Sequence, residues 1–182
     1  MSMKKFVLVL SLGIMAVVIT AGRAYSETDS QQVQVMVQAA GNVDISADPT
    51  SYNFGTLQVN TSSNSADAIV LSNDGEVGVT LQRQYVETTS TGENWTIAAS
   101  TGTNQYSLWM EVNSERIGLD TFEADSQVSN TDLVNLLNSA GEQAEIALGG
   151  TADLWFQIDM PSAVADTSQQ TITLNVIATA AN

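Results

Sequence analysis

The chain has 182 residues, with twenty acidic residues against five basic ones and neither histidine nor cysteine. The basic residues are Lys4, Lys5, Arg23, Arg83 and Arg116, and every acidic residue lies beyond position 26, so residues 27–182 hold two arginines against twenty acids, a net charge near −18. Without imidazole, thiol or amine, most routes to nucleophilic or general-base catalysis near neutral pH are closed, and the chain is not expected to be an enzyme. Nucleic acid is not expected as a partner, since phosphate contacts need Lys and Arg, and an anionic membrane surface would repel so acidic a chain.

Residues 1–26 have the three parts of a secretory signal peptide. Lys4 and Lys5 form the positive region, residues 6–21 (FVLVLSLGIMAVVITA) an apolar stretch, and Ala24-Tyr25-Ser26 a small-residue site for cleavage between Ser26 and Glu27. An uncleaved anchor is the rival reading, but a spanning helix needs about 20 apolar residues. The expected location is outside the cell, at its surface or in a periplasm. Exported domains of small size commonly rely on disulfides, yet this chain has no Cys. Its 156 residues beyond the signal are enough to bury a single core without them.

Residues 27–42 read as an N-terminal extension or first strand. Within them, Val33, Val35 and Val37 alternate with Gln34 and Met36, the period of two that marks a strand. Such a strand could belong to the same domain or pair with the open sheet edge of a neighbour. Residues 43–46 resume the alternation, Asp48-Pro49-Thr50 turns, and residues 52–59 read as a short strand bent at Gly55. The Ser/Thr/Asn stretch 60–65 predicts a surface loop. Residues 66–72 (ADAIVLS) follow as a strand, and Asn73-Asp74-Gly75 as a turn whose glycine can take positive φ.

Val77, Val79 and Leu81 open a strand running toward Tyr85 or Val86, and residues 95–97 and 106–112 (YSLWMEV) form two more. Residues 113–145 break the pattern as an insertion. Ser129 as N-cap, Leu133, Leu136 and Leu137 on one face and Gly141 as a stop predict a short helix near 130–139. Ile146 and Leu148 lead to a strand at 153–160 (DLWFQIDM), and residues 170–179 alternate with Ile172, Leu174, Val176 and Ala178 on one face. Short strands between turn-rich loops predict an all-β chain: an immunoglobulin-like antiparallel β-sandwich of about seven to nine strands, formed by residues 43–182. The listed Ile, Val and Leu positions are expected in its core.

Residues 45–81 resemble the Hydin-like, or ASH-type, domains related to the major sperm protein fold. The resemblance rests on Phe54-Gly55, the hydrophobic strand Ile69-Val70-Leu71 and Asn73-Asp74-Gly75. It implies an immunoglobulin-like sandwich of seven or eight strands used as a non-catalytic binding or scaffolding module. The insertion at 113–145 and the acidity depart from that family.

Three constellations could carry chemistry. Asp120, Glu123 and Asp125, with Asp132 nearby, form a candidate calcium loop because calcium takes six to eight oxygen ligands. The bland alternative is a solvated acidic loop beside a helix start. Trp95, Trp109 and Trp155 are candidates to stack on sugar rings, the alternative being core packing. Asp153 and Asp159 flank two aromatics, but six residues along one strand is roughly 20 Å, too far for a glycosidase pair, which needs about 5–10 Å. Asn60-Thr61-Ser62 and Asn94-Trp95-Thr96 fit the glycosylation sequon.

The function expected from these features is that of a secreted, non-catalytic structural or interaction protein, a subunit of a cell-surface coat, filament or extracellular matrix. Its partner would be a second copy or another envelope or matrix protein, and no cofactor beyond calcium is implied. A carbohydrate- or ligand-binding sandwich module is the alternative.

Overall fold

The computed structural model describes residues 41–119, 121–128 and 132–181. The expected signal peptide and its Ser26/Glu27 junction, the strand predicted at 32–38, Asp120 and the expected Ser129 cap lie outside these residues. Among the described residues no helix is long and apolar enough to cross a membrane.

The domain is a β-sandwich of two sheets. Its strands are β1 (Ile45–Asp48), β2 (Ser62–Asn64), β3 (Ile69–Asn73), β4 (Val79–Ser90), β5 (Thr96–Ile97), β6 (Gln105–Val112), β7 (Val134–Asn135), β8 (Leu137–Asn138), β9 (Glu145–Ile146), β10 (Thr151–Asp159) and β11 (Gln170–Ala180). One sheet runs β1-β3-β10-β6-β5, with β2 beside β10 and β8 beside β6; the other runs β11-β4-β7, with β9 also on β4. The long pairings β1–β3, β3–β10, β10–β6 and β4–β11 are all antiparallel.

Alternation drives the assembly, because in a strand every second side chain points to the same face. Leu71 of β3, Val79 and Leu81 of β4, Leu108 and Met110 of β6 and Leu154 of β10 are all buried and meet between the sheets. In β4 the alternation slips once. The register against β11 shifts between Thr173 and Leu174, where Val86 is left without a directly opposed residue, a bulge that leaves it exposed.

The Asn73-Asp74-Gly75 turn works differently from its sequence reading. Gly75 is not at positive φ; a Cβ there would sit 2.5 Å from the Asn42 carbonyl oxygen and 2.8 Å from the Asp44 nitrogen. Glycine is needed for close approach of two backbones. Asn73 is buried, and its amide donates to the carbonyls of Val77, Ile146 and Ala147 (2.8, 3.2 and 3.1 Å), joining the turn to β9.

Four expectations need correction. Residues 134–138 are two extended pieces, not a helix: β7 pairs with β4, and β8 runs parallel beside β6. The Leu136 N–H donates to the Leu81 carbonyl (3.1 Å), and Ala144 N–H donates to the Leu136 carbonyl (2.7 Å). Unpaired edges of β4 and β6 offer these residues hydrogen bonds, and that tertiary pull overrides a modest helical pattern. Residues 52–59 form an irregular strap instead of a strand, with the Tyr52 and Phe54 rings edge to face at 4.9 Å. The 60–65 loop contains β2, which pairs with β10. Val43, Val59, Val86, Leu133 and Leu148 are exposed, the last at 61%.

The two lateral sides of the sandwich are built differently. On one side the outer edge of β6 is covered along its length by β5, by a bridge from Trp109 to Gln127 and by β8, while β7 and β9 cover β4. Arg83 ties this side together. It is 2% exposed, donates to the Met110 carbonyl (3.1 Å) and the Gln127 carbonyl (3.2 Å), and also bonds the Asp125 carbonyl. Burial draws its pKa down to about 10, opposed by the charges of Asp125 and Glu111, so it stays protonated at neutral pH. Glu111, also buried, accepts hydrogen bonds from the Glu123 N–H and the Ser126 hydroxyl, both at 3.0 Å. On the opposite side, β1 and β11 are each the last strand of their sheet among the described residues.

Removing one member of a buried charged set strands the other, at about 3–5 kcal/mol. Arg83→Met should therefore lower unfolding stability by about that amount, and the Arg83→Met/Glu111→Gln pair by less than the sum of the single changes. Urea unfolding of the four proteins measures this; an Arg83→Met loss below about 1 kcal/mol would contradict the tie.

Candidate functional site

The side between β1 and β11 opens into a groove with a cavity volume of about 950 Å³. One wall is β1 with the strap through Tyr52, Phe54 and Leu57, the other is β11, and the floor is core, including Leu71, Leu108 and Phe156. Geometry follows from register. In the β4–β11 ladder, Ile172 stands opposite Thr88, Leu174 opposite Tyr85, Val176 opposite Arg83 and Ala178 opposite Leu81. Directly opposed residues share a face, so all four β11 side chains point inward.

They are nonetheless only half-buried, whereas Leu81 on the neighbouring strand is 0% exposed. Ile45 and Ala47 of β1 are half-buried as well. Apolar residues that face a core yet keep contact with solvent mark where the described residues leave that core without full cover.

One end of the groove is closed by loops tied through polar side chains. The Gln170 carbonyl oxygen of the side chain accepts the Trp95 N–H (3.0 Å), and its amide donates to the carbonyls of Glu93 and Ser168, each at 3.1 Å. The Asp166 carboxylate accepts the Glu93 N–H (2.7 Å), the Ser168 N–H (3.0 Å) and the Ser168 hydroxyl (2.9 Å). These bonds, the Ser168 N–H first, pull the Asp166 pKa below its ordinary value. Thr88 shares short contacts with the Tyr106 hydroxyl (2.6 Å) and the Tyr85 hydroxyl (3.0 Å). Burial pushes the Tyr106 phenol well above its usual pKa, so it stays neutral.

The predicted site residues are scattered. Glu123, Asp125 and Asp132 are exposed, and among the described residues no three acidic side chains converge into a group able to hold a metal ion. What the 123–126 turn supplies instead is backbone: the Glu123 N–H and the Asp125 carbonyl serve Glu111 and Arg83. The three tryptophans form no common platform. Trp95 lines the closed end of the groove, Trp155 is buried with its indole N–H on the Asn113 carbonyl (2.9 Å), and Trp109 is half-buried on the same sheet face as Trp155. Asp153 and Asp159 lie on the single strand β10.

Sequence reasoning identified Ile172, Leu174 and Val176 as an apolar face and missed that this face lines an open groove. The available signal was the composition of β11, whose eleven residues (QTITLNVIATA) include no charge and no proline. Edge strands are usually guarded by those residues. A scan against protein-family models finds no match, and the chain matches no curated protein in sequence.

Asp166 carries its folded-state pKa below the unfolded one, so its tie is present above the ordinary carboxylate value and is lost as pH falls through the lowered one. Amide exchange should show a Glu93 N–H protection factor that is steady between pH 5 and 7 and collapses in stronger acid. Asp166→Ala should abolish it at neutral pH; protection unchanged in that variant would contradict the role assigned to the carboxylate.

Proposed function

We propose that this chain is a secreted, non-catalytic structural subunit that assembles at a cell surface, in a filament or in an extracellular matrix. One observation carries the reading: among the described residues the sandwich is sealed along one side, while on the other β1 and β11 end their sheets beside an apolar groove, and β11 has neither charge nor proline. A sheet edge of that kind is a template for pairing with another chain. The composition supports the same reading, since twenty acidic residues keep separate copies apart in dilute solution. The signal-like start agrees with work outside the cytoplasm.

Charge repulsion between copies should weaken as salt screens it, with a Debye length of about 10 Å at 0.1 M. Light scattering on the exported protein should therefore show growth into multimers as protein and salt concentration rise. A single-copy mass across that whole range would overturn assembly as the function. Repeating the series with calcium in place of monovalent salt separates general screening from a specific cation effect.

A further inference from the structure

We propose that the groove between β1 and β11 is a binding site for a neutral, slender apolar molecule: an aliphatic chain that carries an uncharged hydrogen-bond acceptor such as an ester. The inference goes beyond assembly, which concerns the outer edges of the two strands. It assigns a use to the space between the sheets.

Charge is the first argument. The chain carries twenty acidic residues, yet of the twenty-eight described residues that line the groove none is Asp, Glu, Lys or Arg. A carboxylate or phosphate held there would give up its hydration with no cation to replace it, and an ammonium would find no carboxylate. Only an uncharged ligand is matched to this lining. Size is the second. The volume of about 950 Å³ lies at the upper end of the range of small-molecule sites, about 300–1,000 Å³. Along β11 the inward side chains of Ile172, Leu174 and Val176 span about 14 Å of strand. That is the reach of roughly a dozen chain carbons at bond lengths near 1.5 Å. Across from them stand Ile45 and Ala47 of β1 and Leu57 of the strap, half-buried like their β11 counterparts.

The interior of a sandwich selects an aliphatic chain over a polypeptide. Between facing sheets the strands present side chains, while their N–H and C=O groups point within the plane of each sheet. A backbone laid inside the groove would lose water without gaining partners. An aliphatic chain has no such groups, and it removes the half-exposed apolar faces from water. The acceptor is placed by the closed end. Trp95 lines that end, and its indole N–H is one of three buried side-chain polar atoms with no hydrogen-bond partner among the described residues. A buried donor left unpaired is destabilising, and an ester carbonyl at the head of the ligand would satisfy it. The head then lies beside Trp95 and Gln170, and the tail runs past Ile172 and Leu174 toward Val176.

The test uses the full chain in dilute solution and probes that share one lauryl chain: glycerol monolaurate, dodecanoate and dodecylammonium, each below its own aggregation concentration. Salt is kept high enough to screen long-range attraction. Calorimetry should show glycerol monolaurate binding saturably, one per chain, with the negative heat-capacity change of apolar burial. The two charged probes should bind about tenfold more weakly or worse; equal affinity for all three would overturn the neutral ligand class. Leu57→Asp changes the strap, outside any strand, and should weaken monolaurate binding about tenfold. Asn175→Asp puts the same charge on the outer face of β11, opposite Gln84, and should leave binding unchanged. Trp95→Phe keeps an apolar ring and removes the donor, which should also weaken binding about tenfold; unchanged affinity there would overturn the placement of the acceptor. No saturable monolaurate binding by the parent, or equal binding by Leu57→Asp, would overturn the site and leave the assembly reading standing. A parent that binds monolaurate yet remains a single copy at every protein and salt concentration would do the reverse.

Discussion

Backbone N–H and C=O groups at a sheet edge must find a partner or remain in water, and the two sides of this sandwich meet that requirement in opposite ways. Along β6 and the near edge of β4, four short segments of two residues each supply partners, and Arg83 reaches across from one sheet to the carbonyls of Met110 and Gln127 on the other side. Along β1 and β11 no described residue does so. The stretch at 113–145, an interruption to the strand rhythm, is the material of the seal. It provides the 123–126 turn, β7, β8 and β9, and through Glu111 and Arg83 it is fastened by buried charge.

Why one side should stay open follows from what lies along it. β11 pairs with β4 over all eleven of its residues, so its inner edge is as well held as any strand in the domain. Its other edge has neither a charged side chain nor a proline to turn away a neighbour. Exposed acidic residues, absent from that strand, are carried elsewhere, among them Asp67, Glu76, Glu115, Glu142 and Glu145. In the proposed assembly, charge acts at long range to hold copies apart, and apolar surface acts at contact to join them. The balance between the two depends on salt.

Much of the fold was legible because burial on one face imposes a period of two. Residues 106–112, 153–160 and 170–179 were read within two residues of β6, β10 and β11. Where the reading failed, long-range hydrogen bonds decided the outcome. Leu136 and Leu137 fit a helical face, yet the vacant edges of β4 and β6 took them as extended chain. Leu133 and Leu148 are apolar by identity but sit in connections that the core does not reach. Nothing local marked Arg83, one of two arginines beyond position 26, as a buried clamp. The groove was the least legible feature, since whether the inner face of β11 is covered depends on which strand ends each sheet, and strand order is not written in local periodicity.

The central claim is that the β1–β11 side is the surface through which copies join. Amide hydrogen exchange, followed across the protein as it is concentrated from dilute solution, tests it most directly. Protection should be gained at β11 and β1 while the β6 edge, already covered, stays as it was. Protection gained instead around the exposed Leu119, Leu133 or Leu148, with β11 unchanged, would place the contact elsewhere and contradict the account.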